Sequence, residues 1–361
     1  METSKTLLVN RANLFECNIV STDVPVIVDD EVLFKINNFS FTSNNITYGV
    51  VGDKIGYWNF FPANNPNGII PVWGFAEVTV SNNPDIEIGE RFYGYWPMST
   101  YLKVKPININ PYGFVDGTAH RSKLPSIYNF YARMPQATSK IDMGYHSIIK
   151  PLFTTAFLNY GFLKERDFFN ASQIILTSAS SKTALGIAYM LFANRHVHGK
   201  KIIGLTSKPN LGFVRDTGFY DQSIPYGILE KALPELSSVI IDLAGNTSLL
   251  SDLHEKLKDN LKFVSLIGLT DWKSLGDMKT IPNSKFFFAH DHATGLFTRL
   301  GQEKANQLIN QAQKKFTKHA SNWMELEFID FEKGIIPLYL DMLNGKIKPS
   351  KGYVVTLNQG L

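Results

Sequence analysis

Residues 173–206 constrain this chain more than any other stretch. An apolar, β-branched run at 173–177 is followed by the small polar turn Ser178-Ala179-Ser180-Ser181-Lys182-Thr183. A helical pattern then runs to about Arg195, and a second strand-like run occupies 201–206. Strand, turn, helix and strand in this order predict a βαβ unit, because two parallel strands need a crossover of a dozen residues or more. The alternation continues with a helix at 208–216, a short strand near 219–220 and a helix around 227–233. A strand at 238–243, a helix at 247–258 and a strand at 261–267 come next. The spacing predicts a doubly wound α/β domain with a parallel sheet.

Between positions 178 and 215 there is no Asp or Glu. A sheet of this kind that prefers NAD carries an acidic residue after its second strand for the ribose hydroxyls. This chain has Ser207 and Lys208 there, with Arg215 a short way on. A carboxylate repels a 2′-phosphate, whereas a hydroxyl and an ammonium hold one. The pattern therefore predicts an NADP(H) site. The first turn lacks the glycines of G-x-G-x-x-G, but its small residues still allow close backbone approach, and Lys182 adds a charge at a helix N-terminus. The alternative is an ordinary serine-capped βα turn. A phosphate loop of the G-x-x-x-x-G-K-[ST] type is excluded, since Ser181 and Leu176 stand where that motif needs Gly. Ala244 and Gly245, after the fourth strand, let the backbone pass close to a nicotinamide ribose. A plain turn with Asn246 as N-cap reads equally well.

The rest of the chain has another character. Residues 1–105 read as short strands and turns, with runs at 24–28, 31–39, 69–81 and 91–95. Nine aromatic residues lie between Tyr57 and Tyr101. They are a barrel core, or in part the wall of an apolar substrate cleft. Prolines at 106, 111, 125 and 135 argue against long elements before 150, and a helical spacing begins at 152. A strand at 285–289, helices at 301–325 and 335–344 and a closing strand at 352–357 complete the chain. The expected division is a β-rich domain at 1–150, completed by about 290–361, and a nucleotide-binding domain at 151–289.

Several classes are disfavoured. With 361 residues, 44% hydrophobic and 19% charged, the composition is that of a folded globular protein. A net charge of +4 with scattered basic residues gives no case for nucleic acid. No apolar run is long enough to span a bilayer and no signal core is present, so a soluble cytoplasmic protein is the expectation. Cys17 is the only cysteine, which leaves no intrachain disulfide. His290 and His292 lack an evident third ligand, so no metal site is expected.

The order of elements resembles the medium-chain dehydrogenase/reductase superfamily, and more closely a family within it known as a domain of unknown function. The motifs are Asn44-Asn45-Ile46-Thr47-Tyr48, Gly56-Tyr57-Trp58, Pro71-Val72-Trp73-Gly74-Phe75-Ala76, Gly89-Glu90-Arg91, Gly94-Tyr95-Trp96-Pro97, Ser178 to Ala184 and Ile203 to Lys208. The resemblance implies a GroES-like β-barrel joined to a Rossmann domain. The zinc ligands of the superfamily's alcohol dehydrogenases have no match here, which leaves the zinc-independent branch, similar to quinone oxidoreductases and enoyl reductases. It implies that Ser178, Ser180, Ser181, Lys182 and Thr183 face a pyrophosphate, and that Lys208 and Tyr226 face the 2′-phosphate, where the residues Ser207, Lys208 and Arg215 alone read also as a solvated helix start. Tyr48, with Asn45 beside it, falls near the nicotinamide, though a barrel tyrosine with a satisfied hydroxyl reads at least as well, and Thr155 falls at the start of a helix beside the cofactor. The implied activity is NADPH-dependent reduction of an activated C=C or quinone-like carbonyl of a small apolar molecule. Related folds pair through a sheet edge, so a homodimer is also implied. A non-catalytic NADP(H)-binding module or sensor fits the same residues, as does a fold that has lost its nucleotide.

Overall fold

A computed structural model describes residues 2–268 and 282–357. The chain forms two compact units: Met1–Ile148 with Glu325–Leu361, and Ile149–Met324. The return to the first unit thus comes at Glu325 rather than near 290. The long C-terminal helix Gln302–Ala320 belongs with the second unit because Phe316 stacks on Phe153 at 4.9 Å and meets Tyr189 at 5.3 Å.

The second unit contains a six-stranded parallel sheet. Its order is Gln222–Pro225, Lys201–Thr206, Gln173–Leu176, Ser238–Asp242, Leu261–Leu266 and Ser284–Phe286. Numbered from Gln173–Leu176, that order is 3-2-1-4-5-6, the doubly wound arrangement with its switch point beside the first strand. Ile174, Ile175, Leu176, Ile202, Ile203, Ile240 and Ile241 are fully buried, as strands covered on both faces require. The third strand begins at Gln222, later than the sequence suggests, and Tyr220 just before it is occupied elsewhere.

The first unit is built on a nine-stranded, mainly antiparallel sheet centred on Val32–Phe41, Pro71–Ser81 and Arg91–Pro97. A three-stranded sheet pairs Thr3–Asn10 with Cys17–Asp23 and Asn67–Gly68. The segment expected as a strand at 24–28 is irregular, and Val26 is 82% exposed. The core packs Phe34 against Phe92, Trp96, Phe114 and Tyr131 at centroid distances of 5.3–6.4 Å. Each such ring pair contributes about 0.5–1.5 kcal/mol beyond its burial. Buried Arg121 ties this layer together by donating to Asp116, Asn129, Tyr131 and the Tyr128 carbonyl at 2.6–3.0 Å.

Two helices depart from expectation. Ser43–Val50 is helical where the sequence reads as strands and turns. Its entry is fastened by the Asn45 carboxamide oxygen, which accepts from the Thr42 amide at 2.8 Å and the Thr42 hydroxyl at 3.2 Å. Lys140–Lys164 starts twelve residues before the helical spacing becomes readable, and carries Pro151 within it. Thr155 accordingly lies in mid-helix rather than at its start. Among the described residues, no helix is long and apolar enough to cross a membrane.

Gly204, in the second parallel strand, leaves the space in which Tyr220 and Ala179 pack. A Cβ there meets Tyr220 Cδ1 at 2.8 Å and Ala179 Cβ at 2.9 Å. Gly204→Ala is therefore expected to cost about 1–3 kcal/mol by overpacking. Gly212→Ala, with nothing within 4 Å in the helix Leu211–Asp216, is expected to be neutral or stabilising. Urea midpoints compare the two, and equal shifts contradict this packing account.

Candidate functional site: a cationic turn and an aromatic cluster

The turn after Gln173–Leu176 holds a shape that glycine usually supplies. Ser178 has φ = 46°, in the left-handed region, which costs a non-glycine residue about 1–3 kcal/mol unless its surroundings impose it. Here they do. The Ser178 amide donates to the Tyr226 hydroxyl at 2.9 Å, and the Tyr220 hydroxyl donates to the Ala179 carbonyl at 2.9 Å. Asn210 Nδ2 donates to Ser180 Oγ at 3.1 Å. Two tyrosines and an asparagine from the neighbouring βα segments thus fix the turn in place of backbone freedom.

The helix Lys182–Ala193 comes next, with Ser181 as its N-cap accepting from the Ala184 amide at 3.3 Å. The first amides of a helix have no partner inside it, and its dipole favours an anion there. Lys182 and Thr183 begin this helix and are half-buried. The Lys182 ammonium has no hydrogen-bond or ion-pair partner among the described residues, and burial pushes its pKa down to about 8. A half-buried cation lacking a counter-ion, at a helix N-terminus, is a site that gains from an incoming phosphate.

After Lys201–Thr206 comes Ser207, at the start of the short turn Lys208–Asn210. Lys208 and Arg215 are exposed, and neither has an ion-pair partner among the described residues. Tyr226 opens the next turn, Tyr226–Ile228, and its hydroxyl is the one that receives the Ser178 amide. The structure therefore brings Tyr226 to the turn at 178–183, a role the sequence did not disclose. Tyr220 and Asn210 went unnoticed in the sequence. Their only signal was Gly204, a gap in an otherwise β-branched strand.

The fourth strand ends in a buried polar knot. Thr177 Oγ1 donates to Asp242 at 2.6 Å and accepts from the Leu243 and Ala244 amides at 2.9 and 3.1 Å. The Gly245 amide donates to the other Asp242 oxygen at 3.0 Å. Burial pushes the Asp242 carboxyl up to about 6, while these donors pull the other way. Ala244 and Gly245 thus have their amides engaged, and Gly245 adopts φ = 70°. This knot fixes the carboxyl end of the central strand pair, where open α/β sheets bind ligands.

In the first unit, Tyr48 is 6% exposed and projects from Ser43–Val50 into aromatic company. Its ring lies 4.4 Å from Tyr57 and 5.9 Å from Tyr95. Asn44 Nδ2 donates to its hydroxyl at 2.7 Å. Burial raises the Tyr48 phenol well above its ordinary range, so it stays protonated at any working pH. Asn45 is otherwise engaged: beyond its contacts with Thr42, its Nδ2 donates to the Pro71 carbonyl at 3.0 Å. It anchors the helix that carries Tyr48. Thr155, in the second unit, donates to the Pro151 carbonyl at 3.3 Å. His292 stacks on Phe287 at 4.2 Å, and His290 pairs with Asp291.

No curated protein sequence matches the chain. Solved structures do match in shape. CurA from Vibrio vulnificus, in complex with NADPH, has a TM-score of 0.62 at 12% identity, over 98% of this chain and 99% of its own. A putative NADPH:quinone reductase from Mesorhizobium loti gives 0.61 at 12%, over 99% of each. The yhdH oxidoreductase from Salmonella enterica, in complex with NADP, gives 0.57 at 11%, over 98% of this chain and 100% of its own. At these identities the likeness establishes the fold alone: a GroES-like β-barrel domain and a Rossmann domain. The sequence family described as "Protein of unknown function (DUF2855)" spans residues 39–348, most of the chain, and this protein belongs to it.

Proposed function

We propose that this protein is an NADPH-dependent, zinc-independent oxidoreductase that reduces an activated C=C bond or a quinone-like carbonyl of a small, apolar substrate in the cytoplasm. The observation that carries this reading is the Lys182 ammonium, lacking a counter-ion at the head of a helix in a carboxylate-free βαβ unit. The neighbours solved with NADPH or NADP share the fold.

The residues present fit the cofactor. Ser178, Ser180, Ser181, Lys182 and Thr183 would hold the pyrophosphate, Ser207 and Lys208 the 2′-phosphate with Tyr226 beside them, and Ala244 and Gly245 the nicotinamide ribose. When bound, NADPH supplies a hydride to an electron-poor carbon. The chain's own task is to orient the substrate and stabilise negative charge growing on its oxygen. Tyr48 is the donor for that oxygen, because burial keeps its proton in place and Asn44 already occupies an acceptor position on its own oxygen. Asn45 acts by fixing the helix beneath Tyr48, and Thr155 lines the cofactor side. The zinc-independent reading rests on the sequence, in which Cys17 has no cysteine partner. Among the described residues no three His, Cys, Asp or Glu side chains converge. We include a homodimer in the proposal, to be checked by sedimentation.

Cofactor affinity is expected to depend on pH through Lys182. Its pKa near 8 in the free protein means the ammonium is present below pH 8 and is lost as pH rises through that value. A bound phosphate raises the pKa, so binding above pH 8 takes up a proton and weakens about tenfold per pH unit. Fluorescence titration with NADPH between pH 7 and 9.5 measures this. Lys182→Arg should bind with no such slope, and a slope that persists in Lys182→Met contradicts the assignment.

Lys208→Glu is expected to weaken NADPH binding at least tenfold while leaving NADH binding nearly unchanged, since only the former carries the 2′-phosphate. Equal losses for the two coenzymes contradict the 2′-phosphate role.

An NADPH oxidation screen against enones, quinones and enoyl thioesters tests the activity itself. Tyr48→Phe should lower kcat about 10²-fold with the NADPH Kd unchanged. Tight NADPH binding without turnover of any class would instead make the protein a non-catalytic binding module.

A further inference from the structure

The turn that follows the second parallel strand is short and stiff. Ser207 leaves the strand in extended backbone, and Pro209 presets φ inside the turn Lys208–Asn210. The Asn210 amide donates to the Ser207 carbonyl at 3.1 Å and closes the turn. Lys208 and Pro209 are thereby presented to solvent, while Asn210 is half-buried. Asn210 Nδ2 donates to Ser180 Oγ at 3.1 Å, a contact between residues 30 apart in sequence. It ties the turn that carries Lys208 to the turn after the first strand.

Ser180 receives a second donor. Thr206 Oγ1, on the last residue of the second strand, donates to Ser180 Oγ at 3.5 Å. Thr206 is 1% exposed, and among the described residues its hydroxyl has no other partner. A hydroxyl has one proton and two acceptor positions. Asn210 and Thr206 fill both acceptor positions of Ser180, and its proton has no acceptor among the described residues. The Ser180 side chain is therefore fixed as a donor. It sits at the carboxyl end of the second strand, where the adenosine ribose lies in doubly wound sheets. Such a donor tells the two coenzymes apart. To a phosphate oxygen it makes a charge-assisted bond. To a ribose 2′-hydroxyl it makes only a neutral one, and the proton of that hydroxyl finds no carboxylate between positions 178 and 215.

We propose that Asn210 is a positioning residue for coenzyme selection, holding the Ser180 hydroxyl as a donor to the 2′-phosphate of NADP(H). The inference rests on the NADP(H)-binding reading and adds two assignments to it. The Ser180 side chain joins the 2′-phosphate set, while its backbone stays with the pyrophosphate. Asn210 acts through that hydroxyl without touching the ligand. Asp at this position would do the opposite: a carboxylate accepts from Ser180, turns its proton inward and places a negative charge beside the phosphate. Asp has nearly the shape of Asn, so the exchange alters hydrogen-bond direction and charge with little change in packing.

The test measures the affinity of the full chain for NADPH and NADH, and for 2′,5′-ADP and 5′-AMP, a pair that differs in the 2′-phosphate and has no pyrophosphate. Ser180→Ala is expected to weaken NADPH and 2′,5′-ADP about tenfold and Asn210→Ala about fivefold, with NADH and 5′-AMP changed less than about twofold. The double variant should match Ser180→Ala alone, because Asn210 acts through that hydroxyl. Asn210→Asp should weaken NADPH about thirtyfold or more and leave NADH unchanged or bound more tightly. Each variant is read as a ratio between the members of a pair, so a general loss of structure lowers both and cannot produce this pattern. Equal losses for the phosphorylated and unphosphorylated members overturn the proposal, as they would put the hydroxyl at the pyrophosphate or in a purely structural role. Additive losses in the double variant overturn it too. The underlying reading fails separately: a parent chain that binds no NADPH sinks both. If the parent binds NADPH and Lys208→Glu discriminates between the coenzymes while the Ser180 and Asn210 variants do not, this inference alone falls.

Discussion

The hydrogen bond from the Ser178 amide to the Tyr226 hydroxyl is the contact on which the candidate cofactor site depends. Most sheets of this kind turn from first strand to first helix on glycines, which adopt positive φ without strain. This chain places serine at φ = 46° and secures it from outside. The Tyr226 hydroxyl accepts from the Ser178 amide, the Tyr220 hydroxyl donates to the Ala179 carbonyl, and Gly204 leaves the space in which Tyr220 and Ala179 meet. The arrangement exchanges flexibility for rigidity. It gives a turn that carries hydroxyl groups and an ammonium.

That substitution changes the electrostatics as well as the sterics. A glycine-rich turn offers only amides and the helix dipole. The Ser-Lys turn adds an ammonium without a counter-ion, in a stretch with no carboxylate between positions 178 and 215. The buried acid of the adjacent strand, Asp242, is wrapped by Thr177 and by the Ala244 and Gly245 amides, and burial disfavours its ionised form. The ammonium without a counter-ion and the free amides at the head of Lys182–Ala193 thus bias the end of the first strand toward anions.

The parallel sheet was legible because strands buried on both faces spell themselves out as β-branched runs, and the helices between them have enough length to be recognised. The first unit was harder for identifiable reasons. The helix Ser43–Val50 is built from Ser, Asn, Ile, Thr, Tyr, Gly and Val, residues with poor helical propensity, and is held by the Thr42–Asn45 contacts and its packing. Lys140–Lys164 was masked by Pro151, which reads as a breaker yet sits inside the helix. Val24, Val26 and Val28 mimic a strand, but the pairing edge is taken by Cys17–Asp23. Of the site, the serines and lysines could be named from their place after the strands. The role of Tyr226 at the turn and the engagement of the Asn45 carboxamide with the Pro71 carbonyl could not, since each depends on which way a side chain points across a distance in sequence.

The central claim is that the turn Ser178–Thr183 at the head of Lys182–Ala193 retains a dinucleotide bearing three phosphates. Isothermal titration calorimetry of the purified chain with NADPH and with NADH at neutral pH tests it most directly. The account predicts saturable one-to-one binding of NADPH, at least tenfold tighter than NADH; an absence of heat with NADPH, or equal affinity for the two, would contradict it.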